Sequence, residues 1–126
     1  MANGTIAFDT LSTSGQISGT AVSVDTDYLA YGSSKAWWSS NDVTLKDSFN
    51  IGSLTDIAAS TYDFNFTNTM ANDDFAFPCA TINTTSNDVL LTTGVTTARV
   101  RQKGITSNSG SAVDTQPSGA VMGDLA

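Results

Sequence analysis

Tyr62-Asp63-Phe64-Asn65-Phe66-Thr67 alternates aromatic and polar residues without a break. Successive side chains of a strand point to opposite faces. The segment therefore predicts a half-buried strand, with Tyr62, Phe64 and Phe66 inward and Asp63, Asn65 and Thr67 outward. Working outward from it, the same period returns in Phe75, Phe77 and Cys79, where Pro78 marks an edge or a bulge. Upstream, Asp42 to Ile51 alternates with Val43, Leu45, Asp47 and Phe49 at period two, and Lys35-Ala36-Trp37-Trp38-Ser39 is a compact aromatic segment. Downstream, Val89-Leu90-Leu91 reads as a short buried run. Thr97 to Arg101 alternates, with Ala98 and Val100 opposite Arg99 and Arg101, and Ala120-Val121-Met122 closes the set. Phe49, Phe75 and Phe77 are expected to join Tyr62, Phe64 and Phe66 in the core.

Near the N-terminus, Thr5 to Asp9 is a candidate strand with Ile6 and Phe8 on one face. Turns are expected at Ser40-Asn41-Asp42, Asn68 to Asp73 and Thr92-Thr93-Gly94. The Thr/Ser/Gly stretch 10–20 reads as an arm or linker, and the Ser/Gly/Asn stretch 106–120 as a long surface loop. Ser53 to Ser60 has apolar residues spaced for one helical turn, but a strand-and-turn pattern fits it better. Together these give an all-β chain of about eight strands, an antiparallel, jelly-roll-like β-sandwich over residues 21–126, with an N-terminal extended arm at 1–20.

Composition agrees. The 126 residues suit one domain. Val, Ile, Thr, Phe, Tyr and Trp number 44 and Glu is absent, which favours strands over helices. The net charge of -7 comes from 12 Asp against three Lys and two Arg. So few cations, at a pI near 4.1, disfavour binding to nucleic acid. The absence of His excludes Ser–His–Asp and Cys–His catalysis and imidazole metal ligation. One cysteine, Cys79, allows neither an internal disulfide nor a CxxC site. No apolar run approaches the ~20 residues of a membrane-spanning helix. Met1-Ala2-Asn3-Gly4 carries no basic or apolar leader pattern, so the sequons at Asn3, Asn65 and Asn83 are expected to be silent.

An ordered series of short motifs runs along the body. It begins with Asp25-Thr26-Asp27-Tyr28, Gly32-Ser33-Ser34-Lys35-Ala36-Trp37 and Leu45-Lys46-Asp47-Ser48-Phe49-Asn50-Ile51. It continues with Leu54-Thr55-Asp56, Tyr62 to Thr67, Met70 to Phe75, Val100-Arg101 and Ser118 to Asp124. Over residues 24–124 the series resembles a β-domain of tail-fibre-like and other virion proteins of marine and cyanobacterial phages. Its hallmark is a Lys-Ala-Trp segment, then Ser-Phe-Asn, then an alternating aromatic strand ending in Thr. Two segments depart from that pattern, Trp38 to Asp42 and Ala58-Ala59-Ser60. The resemblance implies a virion component and a homotrimer.

Several residues have both a structural and a functional meaning. Adjacent Trp37 and Trp38 face opposite sides of a strand, so one belongs to the core. The other is a candidate for a subunit interface or a sugar-stacking surface, and burial between subunits suits it better. Lys35 reads as a rim charge. With Tyr28 and Tyr31, the exposed Trp is a candidate glycan platform. Arg99, Arg101 and Lys103 are either a solvated strand face or a docking patch for acidic groups of a neighbouring subunit or capsid. Asp25 with Asp27, and Asp73 with Asp74, are turn residues rather than a Ca²⁺ site, since they lack the spacing of a calcium loop. Cys79 is expected to be buried. No catalytic, cofactor or metal residues are expected.

The chain, a single domain and a short arm starting at Met1 with no fibre shaft, is thus expected to be a non-enzymatic capsid decoration (cement) protein. Its partners would be itself, as a homotrimer, and the major capsid protein, with no nucleic acid and no membrane. Its place would be the virion, assembled in the host cytoplasm. The alternative is a tail fibre or receptor-binding tip that recognises host glycan. The arm would add a strand to a sheet edge outside its own sandwich.

Overall fold

The computed structural model describes residues 16–18, 23–25, 32–81 and 88–126. Its strands are β1 (Gln16–Ser18), β2 (Ser23–Asp25), β3 (Ser34–Asn41), β4 (Thr44–Phe49), β5 (Ile51–Ala58), β6 (Thr61–Phe66), β7 (Cys79–Thr81), β8 (Asp88–Thr96), β9 (Arg99–Thr106) and β10 (Pro117–Met122). β1 and β2 form an antiparallel pair of their own, which spans the expected arm boundary at residue 20. The other eight make two antiparallel sheets of four, ordered β4-β3-β10-β7 and β5-β6-β9-β8, packed as a sandwich. As in a jelly roll, the first and last body strands, β3 and β10, are neighbours. Three hairpins, β3–β4, β5–β6 and β8–β9, stay within one sheet.

β6 lies where its alternation places it. Tyr62, Phe64 and Phe66 are all buried, and Phe64 is completely so. They meet Ala36 and Trp38 of β3, Val100 of β9, Val121 of β10 and Met70 in one core, with Leu45, Ile51, Leu54, Phe75 and Phe77 packed at its margin. Trp38 stacks on Phe64 with centroids 4.6 Å apart and on Phe77 at 5.4 Å. Its indole N–H donates to Gln102 Oε1 at 3.2 Å, so the ring is buried with its polar atom satisfied. β10 can cross beneath these rings because Gly119 has no side chain. A Cβ there would lie 2.7 Å from Trp38 and 2.8 Å from Phe77.

The chain passes from the first sheet to the second through a single residue, Asn50, which has φ 57°. Asn tolerates this left-handed conformation better than most residues. Its side-chain amide donates to the Lys35 carbonyl at 3.1 Å and the Asn68 carbonyl at 3.0 Å, and its Oδ1 accepts from the Asn68 N–H at 2.7 Å. Asn50 therefore ties the crossing to both sheets.

Four local expectations change. Phe49 is not in the core. The β3–β4 register shifts between Ser39 and Ser40, and β4 passes Leu45 to Asp47 across that shift. One extra residue inverts the phase of a strand, so Leu45 faces in while Phe49 faces out and is 53% exposed. Thr92-Thr93-Gly94 is a second such irregularity inside the long strand β8, not a turn. Val89 and Leu91 are exposed on that edge strand and are not part of a buried run. The C-terminal stretch 106–120 ends as a loop at Gln116, because Pro117, Ser118 and Gly119 belong to β10 in the middle of a sheet. Pro117 opens the strand, where a missing N–H is tolerated, and its carbonyl accepts from the buried Ser40 hydroxyl at 2.8 Å.

Candidate functional surfaces

β3 decides which tryptophan is available. Ala36, Trp38 and Ser40 face the core, so Lys35, Trp37 and Ser39 face out. Trp37 is 38% exposed and Trp38 2%. Register extends the apolar surface sideways from Trp37. Its cross-strand partners are Phe49 on β4 and Ala120 on β10. The Ala120 N–H in turn donates to the carbonyl of Pro78, just before β7. Phe49, Trp37 and Ala120 thus form one row across β4, β3 and β10, continued by Pro78 just before β7. The row on one flank is Asp47, Ser39, Ser118 and Ala80.

Beside Trp37 the face holds a shallow depression of about 370 Å³, lined by Trp37, Pro78, Cys79, Ala80, Ser118 and Ala120 among others. The Ser118 hydroxyl that borders it is committed to the Ala80 carbonyl at 3.1 Å. Cys79 is exposed at this edge, not buried as expected. β7 has only three residues and is paired on one side by β10, so the thiol is left uncovered. Pro78 lies immediately before this edge strand, where its missing N–H interrupts no ladder bond.

The outward face of the other sheet is polar at its centre. Asp63 on β6 lies opposite Arg101 on β9, and Asn65 lies opposite Arg99. Arg101 donates to both Asp63 oxygens, at 2.6 and 2.8 Å, and Arg99 donates to Oδ1 at 3.2 Å. The Asp63 side chain is only 7% exposed beneath the two guanidinium groups. The Arg101 hydrogen bonds, with the charges of Arg99 and Arg101, hold its carboxyl below the usual range against the desolvation that opposes them. The patch of Arg99, Arg101 and Lys103 expected from sequence is thus on one face, but the acidic partner of its two arginines is within the same chain. Lys103 has no ion pair among the described residues. Sequence alternation placed Asp63 in solvent. It is covered because β9, three elements later in the chain, pairs with β6 and carries Arg99 and Arg101.

A third polar group closes one end of the sandwich. The Tyr62 hydroxyl donates to Asp42 Oδ1 at 2.5 Å and lies 3.4 Å from Asp114 Oδ1, which accepts from the Ser60 hydroxyl at 3.0 Å. Burial first, then the hydrogen bond and charge of Asp42, push the phenol above its ordinary value, so it stays a donor. These contacts tie together the β3–β4 turn, the β5–β6 turn and the segment before β10.

Asp73 and Asp74 sit in an exposed turn, where the Asp74 N–H donates to Asn72 Oδ1 at 3.0 Å. Among the described residues no three Asp or Cys side chains gather as a metal site. Tyr28, Tyr31, Asp27, Asn3, Asn83, Ile6 and Phe8 lie outside the described residues, and of Asp25 only the backbone is described. No protein-family model, no curated protein and no solved structure matches the chain.

Proposed function

We propose that the chain is a non-enzymatic structural protein of a phage virion, a capsid decoration protein that acts as a homotrimer and stabilises the shell. The observation that carries this is the apolar row Phe49–Trp37–Ala120–Pro78 on an outward sheet face. Trp and Phe are enriched where proteins meet, and an exposed Trp–Phe pair within an apolar row on a sheet face suits a dry contact. The ordered motifs from Lys-Ala-Trp to Tyr-Asp-Phe-Asn-Phe-Thr support the virion setting.

The four edges of the two four-stranded sheets discourage strand addition. The registers of β4, β5 and β8 are broken by shifts, and β7 is short and preceded by Pro78. The mechanism is mechanical. Contacts between copies and with the major capsid protein bridge neighbouring capsomers and resist internal pressure.

The second proposal, a tail fibre or tip that recognises host glycan, draws on the same exposed Trp37 ring beside its depression. It ranks lower because the lining is mainly apolar and the Ser118 hydroxyl is already used. Imaging of purified virions tests the first. Density for this protein at three-fold or quasi-three-fold capsid positions is the expected result, and density confined to the tail overturns it.

A further inference from the structure

We propose that a second copy of the chain covers the outward face of the β4-β3-β10-β7 sheet, related to the first by a two-fold axis lying along the apolar row. This rests on the structural-protein proposal above and names the partner of that face. The case comes from register. Let the row Phe49, Trp37, Ala120 and Pro78 be the axis. On one side of it lie Asp47, Ser39, Ser118 and Ala80. On the other side lies Lys35, two residues before Trp37 on β3; the β3–β10 register shifts there, and Met122, bridged to Ala76, pairs with Ser34.

A two-fold along the row exchanges these flanks. Trp37 then meets Trp37 of the second copy, and Phe49 meets Phe49. Lys35 comes to lie over Ser39, one strand away from Asp47, and the same happens in reverse. The face is therefore self-complementary in charge, with one cation and one carboxylate exchanged at each end of an apolar centre.

Within the chain the groups that would form these pairs bond only to near neighbours in sequence. Lys35 Nζ donates to the Ser33 hydroxyl at 2.7 Å, and Asp47 Oδ1 accepts from its neighbour's N–H at 2.9 Å. Lys46, at the irregularity in β4, donates to Gln116 Oε1 at 3.1 Å. Three strands about 20 Å or more long and the short β7, at about 4.8 Å spacing, offer a small face. Small interfaces bind weakly, so the contact is expected at micromolar or higher concentration in solution and is reinforced by multiplicity on an assembled particle.

The test is sedimentation velocity of the intact chain from about 1 µM to about 1 mM, with circular dichroism as the folding control. A two-fold contact produces even numbers of copies: two from free chains, six from three-fold particles. Trp37→Ser should weaken this step at least about tenfold, as expected for a central aromatic anchor. Lys35→Asp and Asp47→Lys should each weaken it, and Lys35→Asp combined with Asp47→Lys should recover it to within about threefold, since the pair is only reversed.

One or three copies at every concentration overturns the proposal. So does an even-numbered species that a folded Trp37→Ser variant leaves intact. If the Trp37 variant fails to fold, Phe49→Ser and the charge reversal decide in the same way. A chain that stays monomeric while an oligosaccharide panel quenches Trp37 fluorescence would assign the face to a sugar and overturn the proposal too. Capsid imaging is independent of all these outcomes, so loss of the two-fold contact and loss of the decoration proposal are told apart.

Discussion

At the centre of the β5-β6-β9-β8 sheet the outward side chains are Asp63, Arg99 and Arg101, and they satisfy one another. At the centre of the β4-β3-β10-β7 sheet the outward side chain is Trp37, flanked by an exposed Phe49. The first surface pairs its central arginines with a carboxylate of the same chain, and its exposed apolar residues, Val89, Leu91 and Ile57, lie on the edge strands β8 and β5. The second becomes complete only when something apolar covers it. Two four-stranded sheets on one core thus divide the work. One holds its charges internally and contributes to folding, and the other leaves apolar area for association.

The shared core supplies the largest expected effect. Phe64 is fully buried and stacked on Trp38, so Phe64→Ala should cost ~3–5 kcal/mol, read as a lowered midpoint in urea. An unchanged midpoint would place the weight of the core elsewhere. Next comes the covered charge. Asp63→Asn leaves two arginines facing a neutral amide and should destabilise by ~2–4 kcal/mol. A change below about 0.5 kcal/mol would make the two faces equivalent and remove the contrast.

The same residue sets a pH dependence. The carboxyl of Asp63 is depressed in the folded chain, so folding favours its ionised form. Its contribution is full above the unfolded carboxylate value of about 4 and is lost as pH falls through the lower folded value. Acid unfolding followed by fluorescence should be shallower below about pH 4 in Asp63→Asn than in the parent chain.

Asn50→Ala tests the crossing between the sheets. It removes three hydrogen bonds and places a less tolerant residue at φ 57°, so ~1–3 kcal/mol of destabilisation is expected. The smallest effect belongs to the exposed ring. Trp37→Ser should lower the stability of the isolated chain by about 1 kcal/mol, through its cross-strand contact with Phe49. A loss as large as that of Asp63→Asn would mean that Trp37 serves the fold more than association.

The all-β class was legible in the residues themselves. Alternation over six positions in β6, the β-branched and aromatic content and the absence of Glu all act locally, so they needed no knowledge of the partner strands. Burial of Phe64 and Val100 and the opposite orientations of Trp37 and Trp38 followed from the same local period. The turn-forming composition of 106–120 misled at Pro117 to Gly119. Sequence sees the turn preference of Pro, Ser and Gly, but not that a strand there must pass beneath Trp38 and Phe77 where only a glycine fits.

Tertiary structure alone decided the rest, because pairing is a property of two strands and not of one. The register shift opposite Ser39 and Ser40 turned Phe49 outward beside Trp37. The antiparallel pairing of β6 with β9 brought Asp63 under Arg99 and Arg101, 36 and 38 residues away. The position of β7 at an edge left Cys79 uncovered. Chain alternation determines that two neighbouring side chains face opposite ways. Which face meets the core, and which meets water or a partner, is set by the strands that come to lie beside them.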